Sequence, residues 1–233
     1  MSSQANLKTR GILMLISFFI LLAVIFMPVF PGMGGKKVNG LDYMDNLFNM
    51  ISKGSSYFIP DSIKKADKLA GKAIDVKVKL DDEVRATETA KQLTAGGLTV
   101  TAAGKELAVK GEMAAILKAS LADADLMFKN EGKPIADKYG FSEKQAMYNW
   151  HVLFKKISSD LTKQEKFEDA KPFAEVQKKA LEPAYNYYGV KAEDWKENIA
   201  LVVFALVFYV FYTLWYGFGL MYLFEGCGLQ IGH

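Results

Sequence analysis

Two long apolar runs without a charged residue constrain this 233-residue chain more than any other feature. The first covers Gly11 to Phe30 and the second covers Ile199 to Phe224. At a rise of about 1.5 Å per residue, each run is long enough as a helix to cross the ~30 Å hydrocarbon layer of a bilayer. The second run would extend to about 39 Å, so we expect it to tilt or to protrude at one end. The sequence therefore predicts two transmembrane helices.

The first run resembles either a cleaved signal peptide or an uncleaved signal anchor. Lys8 and Arg10 precede it as a basic region. Its apolar part is longer than the about 7–15 residues that are usual for a signal peptide, and "VFPGMGG" offers no small-residue cleavage site. A lipoprotein anchor is excluded because no cysteine follows the run before Cys227. We therefore predict an uncleaved signal anchor.

Positive charges near the two runs indicate the orientation. The N-terminal tail contains Lys8 and Arg10, whereas the tail after the second run contains no Lys or Arg. Lys36 and Lys37 act in the opposite direction, but they begin a segment far longer than about 60 residues, and such segments carry little topological weight. We predict an integral protein of the bacterial inner (plasma) membrane, with both termini cytoplasmic and residues 36–198 extracytoplasmic.

The segment between the runs begins with helical and strand patterns. "LDYMDNLFNMIS" places its apolar residues on one helical face, and Asp61 or Ser62 is positioned to cap a short helix that ends near Ala70. "IDVKVKL" alternates strictly between apolar and charged residues, which is typical of a half-buried strand. A helix, two strands around an Ala103-Gly104 turn and another amphipathic helix follow. The predicted order is strand-helix-strand-strand-helix.

The remainder of the middle segment reads as helical. Ser142 and Gln145 have the spacing of a capping box before a further amphipathic helix. Residues 158–160, "SSD", indicate a break in that helix. A final helix is predicted to start at Ala192 and to continue directly into the second apolar run, with Trp195 at the level of the lipid headgroups.

These patterns predict an α+β chain that is mainly α. Two transmembrane helices flank one extramembrane domain of amphipathic helices, which contains a small strand-helix-strand-strand-helix layer. The predicted segments are an N-terminal tail (1–10), transmembrane helix 1 (11–30), a flexible linker (31–40), the extramembrane domain (41–190), a helix entering and spanning the membrane (192–224, its membrane part 199–224) and a C-terminal tail (225–233).

No motif predicts catalysis, a metal site or a cofactor. His151 has no Ser, Cys or carboxylate partner at a recognisable spacing, and we interpret it as structural; His233 is the last residue. "DDE" at 81–83 lacks the spacing of a calcium loop and better fits a helix start. "PGMGGKK" lacks the phosphate-loop pattern and reads as a linker. The charges are mixed and the net charge is only +3, so we predict no nucleic-acid binding.

One face of the second apolar run carries hydroxyl groups and a small residue. At about 100° per residue, this face spans about 120° of the helix. The five residues that form it, and that we predict as an intramembrane partner interface, are Tyr209, Tyr212, Thr213, Tyr216 and Gly219. Aromatic bulk lies on the other side, at Phe204, Phe211, Trp215, Phe218 and Tyr222.

Tyr212 is the most demanding residue of that face, because a phenol near mid-bilayer loses water and needs an acceptor. Thr213 can bond to its own helix, whereas Tyr212 cannot easily do so. In an antiparallel pair, Ser17 of the first helix would lie well away from Tyr212. We therefore expect an acceptor from another chain, a second copy, or a bound lipid or quinone, contributing ~0.6–2 kcal/mol. The alternative is that Tyr and Trp form interfacial belts, which suits Tyr222 and Trp195.

The function class follows by elimination. The nine residues after the second run leave no room for the output module of a receptor. Neither run has an ionisable residue, which disfavours a channel or transporter. We predict a non-catalytic accessory or scaffold subunit of a larger membrane complex, for which a bioenergetic complex would suit the ring-rich span. Its partners would be other membrane subunits or further copies, within the lipid bilayer. The alternative is an extracytoplasmic ligand-binding or adaptor module that works with a separate transducer.

Overall fold

A computed structural model of the chain describes residues 2–32 and 35–229. Helices contain 69% of the residues and the sheets are small, which confirms the predicted mainly helical α+β class. In chain order the elements are α1 (Ser2–Phe26), β1 (Phe30–Pro31), β2 (Lys37–Val38), α2 (Gly40–Ser55), α3 (Ile59–Asp67), β3 (Ala73–Lys79), α4 (Glu83–Ala95), β4 (Thr99–Ala103), β5 (Glu106–Glu112), α5 (Met113–Phe128), α6 (Lys133–Tyr139), α7 (Glu143–Lys163), α8 (Phe167–Val176), a π-helical turn (Gln177–Leu181), α9 (Glu182–Asn186) and α10 (Ile199–Gly226).

The chain divides into two compact units. Unit 1 comprises Met1–Ile51 and Glu193–His233, and unit 2 comprises Ser52–Ala192. Unit 1 contains α1 and α10, the two helices that are long and apolar enough to cross a membrane by length and composition. Unit 2 contains the three-stranded sheet and most of the shorter helices.

The first long helix differs from its predicted bounds at both ends. It begins at Ser2, inside the predicted N-terminal tail, and it ends at Phe26 rather than Phe30. Pro28 explains the early end, because a proline disfavours the helical conformation in the residue before it. Phe30 then pairs with Val38, so part of the predicted flexible linker forms a short antiparallel ladder.

The second long helix begins at Ile199, not at Ala192, and continues to Gly226. Side chains before Ile199 bond locally and compete with helix formation. Asp194 Oδ1 accepts from the Lys196 backbone N–H at 2.9 Å. Asn198 Nδ2 donates to Glu193 Oε2 at 2.9 Å. The predicted direct continuation of this helix from Ala192 is therefore wrong.

Glycines allow α1 and α10 to pack closely against each other. A Cβ atom added to Gly11 would lie 2.5 Å from the backbone nitrogen of Leu223, and one added to Gly226 would collide with the backbone of Lys8. A Cβ at Gly219 would meet Leu15 Cδ2 at 3.1 Å. Small residues at such positions are the usual means by which apolar helices approach each other in a bilayer.

The sheet of unit 2 is antiparallel, with strand order β3-β5-β4. Its elements follow the order strand, helix, strand, strand, helix that the sequence pattern predicts. Along β3, Ile74, Val76 and Val78 are buried while the residues between them are exposed. The sheet therefore has one face towards the core and one charged face towards solvent, which explains the strict alternation.

Two helix boundaries in unit 2 correct the sequence prediction. The third helix begins at Ile59 rather than at a cap on Asp61 or Ser62, because Pro60 occupies its first turn, where proline is favourable. Helix α7 does not break at residues 158–160 but continues to Lys163. Ile157 and Leu161 are both buried on its core face, so the apolar stripe continues past the polar residues.

The start of α7 confirms half of the predicted capping box. Ser142 Oγ accepts from the Gln145 backbone N–H at 3.2 Å. The Gln145 side chain does not return to Ser142 and donates instead to Asn149 Oδ1 at 2.9 Å. The helix buries Trp150 and Phe154 completely, at the centre of the apolar core of unit 2.

Candidate functional site

The predicted polar face of α10 divides into two parts in the structure. Three of its residues lie against α1: Gly219 is buried beside Leu15, and the rings of Tyr212 and Tyr216 lie 4.3 Å and 4.9 Å from the ring of Phe18. The other two, Tyr209 and Thr213, are exposed. Much of the face that the sequence assigns to a partner is therefore used for packing within unit 1.

The hydroxyl of Tyr212 is buried and has no hydrogen-bond partner among the described residues. Its ring is stacked between Phe18 and Phe208, at centroid distances of 4.3 Å and 5.7 Å. Because the oxygen is enclosed, a second molecule could reach it only after the surrounding side chains or helices moved. The predicted bond from Tyr212 to a foreign acceptor stays a prediction, and it now requires that movement.

Ser17 does not lie where the sequence prediction placed it. Phe18, the next residue, stacks on Tyr212, so Ser17 is at about the same height along the helix pair rather than near its far end. The Ser17 hydroxyl donates to the Met14 carbonyl at 2.9 Å and thus bonds within its own helix. Ser17 and Tyr212 are therefore not separated along the helix axis, but the Ser17 hydroxyl is already bonded within α1.

Trp215 supplies a contact between the helices that the sequence reasoning missed. Its indole N–H donates to the Met14 carbonyl at 3.1 Å, across from α10 to α1. The helical pattern places Trp215 on the bulky side of α10 and does not show that its indole N–H bonds to α1. The signal that could have found it is the indole N–H, which needs an acceptor when it is buried or in lipid.

Tyr209 is the principal outward-facing polar residue of α10. Its side chain is 67% exposed and lies well inside both ends of the helix. No described residue accepts a hydrogen bond from its hydroxyl within hydrogen-bond distance. Thr213, one turn later, donates to the Tyr209 carbonyl at 2.7 Å, as predicted for a hydroxyl that bonds to its own helix. Tyr209 therefore presents a free phenol to whatever surrounds α10.

Unit 2 contains a buried lysine that the sequence reasoning also missed. Lys53, in the last turn of α2, is only 2% exposed. Its ammonium group donates to Asn130 Oδ1 at 2.9 Å and to the carbonyls of Tyr187 and Val190 at 3.0 Å and 2.6 Å. Removal from water lowers the pKa of Lys53. The ammonium group thus connects the first residues of unit 2 to its last residues, around Tyr187 and Val190. Because each of its three donors has an acceptor, it is not available to a substrate.

A second buried charge, Asp123, is matched in the same way. It is 1% exposed and accepts from the Tyr139 hydroxyl at 2.6 Å, the Trp150 indole at 2.8 Å and the Lys138 ammonium at 3.3 Å. Burial, and then the bond to Asp123, raise the pKa of Tyr139. These bonds connect α5, α6 and α7, and each carboxylate oxygen of Asp123 accepts at least one of them.

His151 and the "DDE" segment, the two candidates for a catalytic or cation-binding role, have partners nearby in the fold. His151 lies 3.3 Å from Gln177 Nε2 and 3.8 Å from Glu182 Oε1. Asp82 caps α4 by accepting from the Arg85 backbone N–H at 2.8 Å, which confirms the interpretation of "DDE" as a helix start. Within residues 2–32 and 35–229, no three His, Cys, Asp or Glu side chains are grouped closely enough to bind a metal ion.

Comparison of the chain with protein-family models, with curated proteins and with solved structures gives no match. No relative therefore contributes a site or an activity. The candidate functional site is the outward face of α10 around Tyr209, with Thr213 and the partly exposed Tyr216 beside it.

Proposed function

We propose that this chain is a non-catalytic, membrane-anchored accessory or scaffold subunit of a larger membrane protein complex, of which a bioenergetic assembly is one example. It would dock in the bilayer through the outward face of α10, and its extramembrane unit would contact other subunits. The proposed location is a bacterial inner membrane, with both termini cytoplasmic and residues 36–198 extracytoplasmic.

The observation that carries the proposal is the free phenol of Tyr209. In hydrocarbon, a hydroxyl without an acceptor loses its hydrogen bonds to water and gains nothing in return. A neighbouring helix removes this cost by supplying a carbonyl or a polar side chain, and such bonds contribute ~0.6–2 kcal/mol in membranes. Interfacial placement does not account for Tyr209, because the residue lies far from both ends of α10.

The packing of α1 on α10 supports the same proposal. On its inner side the pair packs Phe18 against Tyr212, brings Gly219 close to α1 and forms the Trp215–Met14 bond. A polar residue that remains on the outer side is then left over from internal packing, and a contact with a further helix explains it.

A pair of Tyr→Phe variants tests this proposal. The wild-type chain, extracted from its native membrane in mild detergent, is expected to migrate with other membrane subunits. Tyr209→Phe removes only the hydroxyl and should weaken that association by about threefold to thirtyfold. Tyr222→Phe is the matched control, because Tyr222 lies on the other side of α10 and packs against Arg10 at 5.4 Å. Migration of the wild-type chain as a stable lone monomer would contradict the proposal.

The alternative function, an extracytoplasmic binding or adaptor module, has one supporting observation. A groove of about 580 Å³ lies in unit 2 and is lined by both polar and apolar side chains. Stabilisation of the chain against thermal unfolding by a soluble ligand, without any co-migrating subunit, would favour this alternative over the first.

A further inference from the structure

The free edge of strand β4 differs from the rest of the sheet in how it is covered. In one row across the inner face, Val78 of β3 pairs with Leu107 of β5, which pairs with Ala102 of β4. Val78 and Leu107 are 3% and 0% exposed, whereas Ala102 is exposed although it points to the same face. On the same face Val100 is partly buried against the core, so the helical layer covers β3 and β5 but leaves β4 open at Ala102.

The opening beside β4 is the groove of about 580 Å³. One of its walls is the side of α4, and Lys138 with Tyr139 of α6 forms another part. The residues of α4 that line it are Thr87, Ala90, Lys91, Thr94 and Ala95. A strand edge with a helix alongside is the arrangement in which an extended peptide adds to a sheet while its alternate side chains enter a groove.

The backbone of β4 is free to accept such a strand. Among the described residues its only partner in the sheet is β5, so alternate N–H and C=O groups along its other edge have no ladder partner there. Its sequence, "TVTAA", has no proline and no charge, the two devices that usually protect an exposed edge. The opposite edge, β3, carries Asp75, Lys77 and Lys79 on its solvent face.

The charges of the groove indicate the chemistry of the occupant. Lys91 and Lys138 line it, and no carboxylate does. Lys138 is balanced by Asp123 at 3.3 Å, but among the described residues no carboxylate lies within ion-pair distance of Lys91. A side chain that enters the groove beside Lys91 is therefore favoured if it is a carboxylate, and the alanines nearby suit a small apolar neighbour.

We propose that β4 and α4 form a binding site for an extended, acidic segment of a partner protein, which pairs with the free edge of β4 and places a carboxylate at Lys91. This inference rests on the proposed function only in assuming a partner protein, and it deepens that function by naming what unit 2 binds. It does not depend on Tyr209 or on the bilayer.

The test uses the full chain in detergent and a labelled peptide, Thr-Glu-Thr-Ala-Thr-Glu-Thr, with both ends blocked, in which the Glu and Ala side chains share one face of the strand. We expect saturable binding by fluorescence anisotropy, together with slower amide hydrogen exchange in residues 99–103 and not in residues 73–79. Of two versions of the peptide, N-methylated at odd or at even positions, one should lose binding at least about tenfold, because it loses the amides that pair with β4. A version with Lys in place of Glu should bind more weakly.

Charge-reversal variants provide the matched control. Lys91→Glu should weaken binding of the acidic peptide by about fivefold or more, and Lys77→Glu on β3 should leave it unchanged. The inference is overturned if the acidic peptide shows no saturable binding, if neither N-methylated version is weakened, or if Lys91→Glu has no effect. It is also overturned if β4 instead pairs with a second copy, seen as a dimer that Ala102→Lys dissociates. The Tyr209→Phe variant distinguishes this inference from the proposed function. It should bind the peptide as the wild-type chain does, while its association with membrane subunits is weakened.

Discussion

Unit 1 and unit 2 differ in whether polar side chains that are removed from water find hydrogen-bond partners within the unit. In unit 2, the two buried charges, Lys53 and Asp123, each have three partners within the unit. In unit 1, the buried hydroxyl of Tyr212 and the outward-facing hydroxyl of Tyr209 have no hydrogen-bond partner among residues 2–32 and 35–229. Burying a charged group without any partner costs far more than burying a neutral hydroxyl without one, which explains why Lys53 and Asp123 are paired.

The difference indicates which polar groups of each unit stabilise its fold and which are open to a contact with another molecule. In unit 2, the atoms buried without a partner among the described residues are Thr89 Oγ1, Gln92 Oε1 and Arg85 Nε. The Arg85 guanidinium is nevertheless paired, because its Nη1 lies 2.9 Å from Asp81 Oδ2. The helix pair of unit 1 packs its inner side by aromatic stacking and close glycine contacts, and the Tyr209 phenol faces its surroundings. We therefore expect variants in unit 2 to affect folding and variants on the outer side of α10 to affect association.

The largest effect is expected from Lys53→Met. The change keeps the apolar length of the side chain but leaves Asn130 Oδ1 and the carbonyls of Tyr187 and Val190 without their donor. The free energy of unfolding should fall by about 3 kcal/mol, measured by chemical denaturation. Lys77→Met, at an exposed position of β3, should change it by less than about 0.5 kcal/mol. Equal effects of the two variants would show that the Lys53 bonds do not stabilise unit 2.

A smaller effect is expected from a pair of glycine variants in α10. Gly219→Leu would force a side chain against Leu15 and should destabilise the α1–α10 packing by about 1–3 kcal/mol. Gly217→Leu is the control, because nothing lies within 4 Å of a Cβ at that position. Thermal unfolding in detergent, followed by tryptophan fluorescence, measures both. If Gly217→Leu destabilised the chain as much as Gly219→Leu, the close packing at Gly219 would be refuted.

The smallest effect concerns alkaline pH and Tyr139. Burial and the bond to Asp123 raise the Tyr139 pKa in the folded chain above its ordinary value of 10.0. Above about pH 10 the unfolded chain loses this proton while the folded chain keeps it, so stability should fall as pH rises. Tyr139→Phe removes the group and should make that part of the pH–stability curve shallower. An unchanged slope between about pH 10 and 11.5 would contradict the assignment.

Features that depend on local pattern could be predicted from the sequence. The alternation from Ile74 to Leu80 located β3, and Ser142 marked the start of α7. The two apolar runs gave the two long helices, although Pro28 and the local bonds of Asp194 and Asn198 moved their ends.

Features that depend on which elements meet could not be predicted. Lys53 lies in an amphipathic helix like any solvated lysine, and only the fold brings the carbonyls of Tyr187 and Val190 to it. Similarly, a helical wheel places Tyr209 and Tyr212 on one face of α10, but it does not show where α1 packs against that face. The division of that face into an inner and an outer part therefore required the packing of Phe18.

Photo-crosslinking from α10 in native membranes tests the central claim most directly. A photoreactive residue at position 209 would report on the outer polar face, and one at Phe218, which is 46% exposed on the bulky side, would serve as the control. The proposed docking predicts a discrete adduct with another membrane protein from position 209 and adducts with lipid from position 218. Adducts with lipid alone from both positions would contradict a subunit that docks through this face.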